Sequence, residues 1–146
     1  MVFFLRSTMQ TFVPLGSDFV GNARVLDWRR LGKQRVEGYQ ILLALGDPEY
    51  GWQSHPAVKM WQGYSAGLAL YVIEMCKEWR KRGYVDNMLP RIEPFLLDAP
   101  MVRIPMWLDD PRVTLSHRSN LLRKEYSWYC QFWPDDPDDL PYYWPV

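Results

Sequence analysis

The sequence predicts an all-α fold, and three observations carry that expectation. Apolar residues recur at spacings of three, four and seven over two long stretches, residues 28–45 and 56–79. Helix start and stop signals bracket both: Asp27 and Ser54-His55-Pro56 before them, Gly46 and Gly83 after them. No alternation of apolar and polar residues lasts longer than a few positions, as a half-buried strand would require. The architecture expected is a single compact domain of two long helices plus a shorter third helix. Irregular Pro-rich connections join them, and an acidic, aromatic tail closes the chain.

In chain order, Phe12 to Leu15 reads as extended, with Pro14 and Gly16 as punctuation. Ser17 or Asp18 caps a first helical turn, Phe19 to Leu26. Asp27 is a fresh N-cap for the helix from Trp28 to Leu45, its carboxylate placed to accept backbone N–H groups. Leu31, Gly38, Ile41, Leu42 and Leu45 form the buried stripe of that helix, and Gly46 ends it ahead of Asp47-Pro48. A loop holding Trp52 leads to the second long helix. Pro56 sits in its first turn, where the missing N–H costs nothing. Its stripe is Val58, Trp61, Tyr64 or Ser65, Leu68, Tyr71 or Val72, Met75 and Trp79. Gly63 and Gly67, four apart, would let another helix come close. Lys77, Arg80, Lys81 and Arg82 suit the negative end of the helix dipole.

Pro90, Pro94, Pro100, Pro105 and Pro111 leave room for one short helix at most, around Arg91 to Leu97. Asp110-Pro111 resembles a cap and its N1 proline, opening a third helix from about Arg112 through Leu122 that continues or restarts toward Phe132. On that helix Leu115, Leu121 and Leu122 turn inward, and His117, Arg118, Asn120, Arg123 and Lys124 give a polar, mostly basic face. The aromatics of Leu140-Pro-Tyr-Tyr-Trp-Pro suit a tail that packs back on the body.

A chain of 146 residues with 48% hydrophobic residues suits one domain with a real core and excludes intrinsic disorder. The domain is assigned to residues 9–146; residues 1–8 are an extension or a mis-assigned start, because Met9 offers a second start ahead of Gln10-Thr11-Phe12. Two distant Cys make no disulfide scaffold, so a reducing, cytoplasmic setting is expected. No apolar run approaches the ~20 residues of a membrane helix. Two His and two separated Cys give no zinc spacing, and phosphate-loop and dinucleotide motifs are absent, so no metal and no cofactor are expected. The chain is expected to be a monomer.

Formal net charge is zero, with 17 basic and 17 acidic residues. That sum hides an asymmetry: residues 1–124 hold every Lys and Arg and stand at +5, whereas residues 125–146 hold five acids and stand at −5. The densest basic block is Arg24, Arg29, Arg30, Lys33 and Arg35. Within it Arg30, Lys33 and Glu37 share one helix face, and Lys33 with Glu37 makes an i,i+4 pair. Such a face is either an ordinary solvated ion-pair surface or a carboxylate held among cations beside a nucleic-acid backbone, with Glu37 as acid–base. A second constellation is His117, Arg118, Arg123 and Lys124. A third is His55 to Lys59, where free N–H groups at a helix start can take a phosphate.

Arg24-Val-Leu-Asp27, Arg30-Leu-Gly-Lys-Gln-Arg-Val-Glu37, His55-Pro-Ala-Val-Lys59-Met-Trp61, Trp79-Arg-Lys-Arg-Gly-Tyr84 and Ser116-His-Arg-Ser119 with Leu122-Arg-Lys124 together resemble the bacterial branch of the pyrimidine dimer DNA glycosylase family. A more distant likeness extends to the phage branch. The resemblance implies an all-α, metal-free DNA-repair glycosylase with AP-lyase activity on double-stranded DNA, working through an amine-derived imine. It gives Glu37 the catalytic carboxylate, and backbone contacts to Arg24, Arg30, Lys33 and Arg35. His55, Lys59, His117, Arg118, Arg123 and Lys124 complete the expected DNA-binding set. The attacking amine is left open: the terminal amine of Met9 if translation starts there, that of Met1, or the side chain of Lys33. Two other readings remain beside the enzyme: a helical nucleic-acid-binding module without chemistry, and an interaction module with an exposed patch at Tyr142, Tyr143 and Trp144.

Overall fold

The computed structural model describes residues 9–146, which contain seven α-helices, one short 3-10 turn and no strand. The extension or mis-assigned start expected at residues 1–8 lies outside the described residues. The helices are α1 (Phe19–Val25), α2 (Trp28–Gly46), α3 (Pro56–Lys59), α4 (Ser65–Lys81), α5 (Leu89–Leu97), α6 (Pro111–Lys124) and α7 (Tyr126–Tyr129), with the 3-10 turn at Met106–Asp109 before α6. The all-α expectation holds.

Helix α1 starts where the Asp18 carboxylate accepts the N–H of Gly21 at 2.9 Å. Asp27 stands at the N-cap of α2 but does not cap it. It is buried, and a buried carboxylate needs strong donors. Its Oδ1 takes the hydroxyl of Tyr129 and its Oδ2 the guanidinium of Arg30 at 3.2 Å, which ties α7 to the junction of α1 and α2. Leu31, Gln34, Gly38, Ile41, Leu42 and Ala44 line the buried face of α2. The absence of a side chain at Gly38 brings α4 in: a Cβ there would lie 2.3 Å from a methyl of Val72.

The second long helix is in fact two. Helix α3 is a single turn, residues 60–64 form a turn, and α4 restarts at Ser65. Gly63, at φ +86°, supplies the left-handed conformation that breaks the helix. The apolar rhythm runs through the break because Trp61 is as buried in the turn as it would be in a helix. Gly67 meets a loop rather than a helix: a Cβ would sit 2.4 Å from the carbonyl of Arg103.

Helix α6 departs from the expected facing. His117 and Asn120 are buried with Val113, Leu121 and Leu122, while Leu115 is only half-buried. His117 Nδ1 accepts the N–H of Val13 at 2.9 Å. Asn120 donates to the carbonyl of Leu140 at 3.0 Å. Ser119 accepts the N–H of Leu140, and Ser116 that of Tyr143. The inward polar residues of α6 are therefore docking points for residues 12–14 and for the tail. The tail packs back as expected, leaving Tyr142, Tyr143 and Trp144 half-buried against the core rather than forming an exposed patch.

Candidate active site

Gln34 organises the site. It is buried one helical turn before Glu37. Its carboxamide oxygen accepts the N–H of Phe12 at 2.9 Å and the hydroxyl of Tyr71 at 2.6 Å, and its nitrogen donates to the carbonyl of Gln10 at 2.9 Å. A second donation, at 3.5 Å, reaches Glu37 Oε2. Residues 10–12 are thus laid along α2 at the level of Glu37.

Burial pushes the Glu37 carboxyl up to about 7, against the opposing pull of Lys33, the Gln10 N–H and Lys124. A carboxyl titrating there exists in both forms near neutral pH, which suits proton transfer. Lys33 Nζ lies 4.0 Å from Glu37 Oε1 and is largely exposed. Lys124 arrives from the end of α6. Desolvation lowers its ammonium below the usual lysine range, and the cations Arg30, Arg123 and Lys33 add to that effect. Phe12, Arg29, Arg30, Lys33, Gln34, Glu37 and Lys124 line a cavity of about 280 Å³. Four cations, of which Arg30 pairs with Asp27 and Glu125, surround one half-buried acid.

Other expected residues lie elsewhere. Arg35 points away from the cavity, pairing with the fully buried Asp86 and stacking 4.5 Å over the ring of Trp79. Burial opposes ionisation of Asp86, but N–H groups of Leu89 and Met88 and the Arg35 guanidinium hold its carboxyl below the usual range. Arg35 is a packing residue, because an unpaired buried carboxylate would be costly. Arg24 is exposed on α1, in a groove with Glu74, Lys77 and Glu78. His55 Nδ1 accepts the N–H of Ala57 at 3.0 Å, capping α3, and Lys59 is exposed on that turn. His117 is 1% exposed, and burial pushes it down to about 3, so it is a neutral acceptor that no DNA phosphate reaches. Arg118 pairs with Asp136 at 2.7 Å and donates to the carbonyl of Pro14. Arg123 holds the carbonyls of Asp138 and Leu140. The acidic tail therefore occupies the cations of the central part of α6, and of the expected set on that helix Lys124 is the one that lines the cavity.

Sequence reasoning passed over Phe12, Gln34 and Trp52 as site residues and did not assign Arg29 a contact. Gln34 carried a signal, since it lies three residues before Glu37 on the same helix. Cys76 is no nucleophile: burial, then Asp86, pushes its thiol up to about 12. Among the described residues no cluster of three or more His, Cys, Asp or Glu could hold a metal ion. No described helix is long and apolar enough to cross a membrane.

The sequence model of the pyrimidine dimer DNA glycosylase family matches residues 9–91, more than half of the chain. The chain belongs to that family. No match was found among curated proteins or among solved structures. The matched segment begins at Met9 and includes Glu37, Lys33, Gln34, Arg29 and Arg30. A pyrimidine dimer DNA glycosylase acts on DNA.

Proposed function

We propose that the chain is a DNA glycosylase with AP-lyase activity on duplexes carrying pyrimidine dimers or abasic sites, and that Glu37 performs the proton transfers. The observation that carries this reading is the half-buried Glu37 carboxyl, pushed up to about 7, in a cavity lined by Arg29, Arg30, Lys33 and Lys124 and held by Gln34. An amine lone pair attacks the sugar C1′, and the bond from C1′ to the base breaks with its electron pair leaving on the base. Glu37 in its acid form donates the proton that the leaving base takes up. Opening of the sugar ring then gives an imine between the amine and C1′. Glu37 in its carboxylate form removes a proton from C2′, and the 3′ C–O bond breaks, expelling the phosphate.

The amine we propose is that of Met9, in a chain that starts there. Met9 and Glu37 line one cavity, and Gln34 ties the next residue, Gln10, to the level of the acid. Lys33 is the alternative. Its exposure and its ion pair with Glu37 suit a charged neighbour that binds phosphate better than a desolvated nucleophile. Borohydride trapping on ultraviolet-irradiated and abasic duplexes tests this, comparing chains that start at Met1 and at Met9 with Glu37→Gln and Lys33→Ala. A covalent adduct mapped to Met9 supports the reading. An adduct lost in Lys33→Ala moves the nucleophile to Lys33, and no adduct with any chain ends the lyase mechanism.

A further inference from the structure

Residues 9–13 precede the first helix and run past the site. Met9 lines a cavity of about 320 Å³ with Glu37 and Trp52, and Phe12 lines the cationic cavity, again with Glu37. Hydrogen bonds from three helices fix the backbone of this segment. Gln34 on α2 holds Gln10 and Phe12, Tyr71 on α4 donates to the carbonyl of Phe12 at 2.7 Å, and His117 on α6 accepts the N–H of Val13. Backbone bonds do not orient the Phe12 ring; ring contacts do.

Two rings meet it. His117 stands edge-on at 6.0 Å and Tyr142 tilted at 6.4 Å, and these two are edge-on to each other at 5.7 Å. Tyr142 belongs to the tail, outside residues 9–91 of the family match. The tail is pinned on both sides of it. Before it, Ser119 accepts the N–H of Leu140 at 2.9 Å and Asn120 donates to the Leu140 carbonyl at 3.0 Å. After it, Ser116 accepts the N–H of Tyr143 at 3.2 Å, and the Trp144 ring is edge-on to His55 at 5.9 Å. Burial holds the Tyr142 hydroxyl protonated, well above its usual range; Arg123 opposes that shift and Glu37 adds to it, so the hydroxyl lies within electrostatic reach of the acid.

We propose that Tyr142 is a positioning residue for the reaction: the tail straps its ring against Phe12, and Phe12 keeps residues 9–12, with the amine of Met9, at the level of Glu37. The inference rests on the glycosylase reading with Met9 as its amine, and adds a requirement for the end of the chain. A reacting group misplaced by about 1 Å can cost about a hundredfold in rate, so a contact that touches no substrate can set the rate. Loss of the ring slows attack by the amine and leaves DNA binding as it was.

The test measures imine formation on an abasic duplex in single turnover, by borohydride trapping at saturating DNA, in chains that start at Met9. Wild type is compared with Tyr142→Ala, Tyr142→Leu, Tyr142→Phe and Tyr143→Ala, and DNA affinity and thermal unfolding are measured for each. The Tyr143 ring lies against Arg112, 4.4 Å from its guanidinium, so that variant disturbs the tail and spares the Phe12 contact. Trapping is expected to slow about tenfold to a hundredfold in Tyr142→Ala and Tyr142→Leu at unchanged affinity, and to keep the wild-type rate in Tyr142→Phe, which restores the ring, and in Tyr143→Ala. Where Tyr142→Ala does not fold, Tyr142→Leu, which keeps apolar volume, decides. A wild-type rate without the ring overturns the proposal, as does a loss of affinity in place of rate, or an equal loss in Tyr143→Ala. A wild-type chain that gives no adduct overturns the glycosylase reading itself, and an adduct at Lys33 overturns its amine; the inference falls with either.

Discussion

The carboxamide nitrogen of Gln34 donates to Glu37 Oε2 at 3.5 Å and to the carbonyl of Gln10 at 2.9 Å, so the segment that opens the family match is tied to the acid that the match contains. Glu37→Gln keeps an acceptor for Gln34 and nearly the same shape, and removes the group proposed to transfer the proton. Strand cleavage at abasic sites is expected to fall about 10²–10⁴-fold, the usual weight of a general acid–base. Affinity for the same DNA should change little. A large affinity loss in a binding titration would show that Glu37 acts on binding rather than on chemistry.

The pH profile follows from the same carboxyl. In the proposed lyase step, proton removal at C2′ requires the carboxylate, and burial pushes the Glu37 carboxyl up to about 7. Cleavage of abasic DNA by wild type is therefore expected to rise from pH 5 and level off above pH 7. A profile without a step near 7 would separate Glu37 from the rate-limiting proton transfer.

Stability should run the other way. The folded carboxyl holds its proton up to about 7, whereas its ordinary value is 4.5, so the fold binds more protons than the unfolded chain across that window. Glu37 then favours the fold below pH 4.5, and that contribution is lost as pH rises to 7, by about 3 kcal/mol. Glu37→Gln should unfold at higher denaturant than wild type at pH 8 and show little gain at pH 4.5. Equal shifts at the two values would contradict the burial cost assigned to the acid.

His117 has the opposite sign. Burial holds it neutral down to about 3, against an ordinary value of 6.5, so stability tied to it is present above 6.5 and lost as pH falls toward 3. His117→Phe leaves the N–H of Val13 without its acceptor and should cost about 1–3 kcal/mol at pH 7. That deficit is expected to shrink as pH falls below 6.5, since the variant has no imidazole to protonate. Denaturation at pH 7 and at pH 4.5 reads the difference, and a deficit of constant size would mean that His117 does not titrate as its burial dictates.

What was legible in the sequence is what helical spacing encodes. The helix from Trp28 and the approach of Lys33 to Glu37 follow from residues three and four apart, a local geometry. Spacing does not say which neighbour covers a face. Gln34 reaches Gln10, Arg35 turns to Asp86, and Asp27 meets Tyr129, all across long stretches of chain. The break at Gly63 was hidden because the turn keeps Trp61 in phase with the helix. His117 carried a usable sign, since Val113, His117 and Leu121 recur every four residues and all three are buried. Its basic neighbours drew attention outward while the period pointed in.

The division of the cations gives a last prediction. Arg29 and Lys124 line the cavity and are exposed, whereas Arg118 is held by Asp136 and the carbonyl of Pro14. If phosphates approach the cavity, Arg29→Ala and Lys124→Ala should each weaken binding and lower the slope of log affinity against log salt by about one. Arg118→Ala should leave that slope unchanged, because its charge is already matched within the fold, and should lower stability by freeing the tail. Measured over a range of salt on one abasic-analogue duplex, a slope that changes with Arg118 rather than with Arg29 and Lys124 would move the DNA path from the Glu37 cavity to the face of α6 that the tail covers.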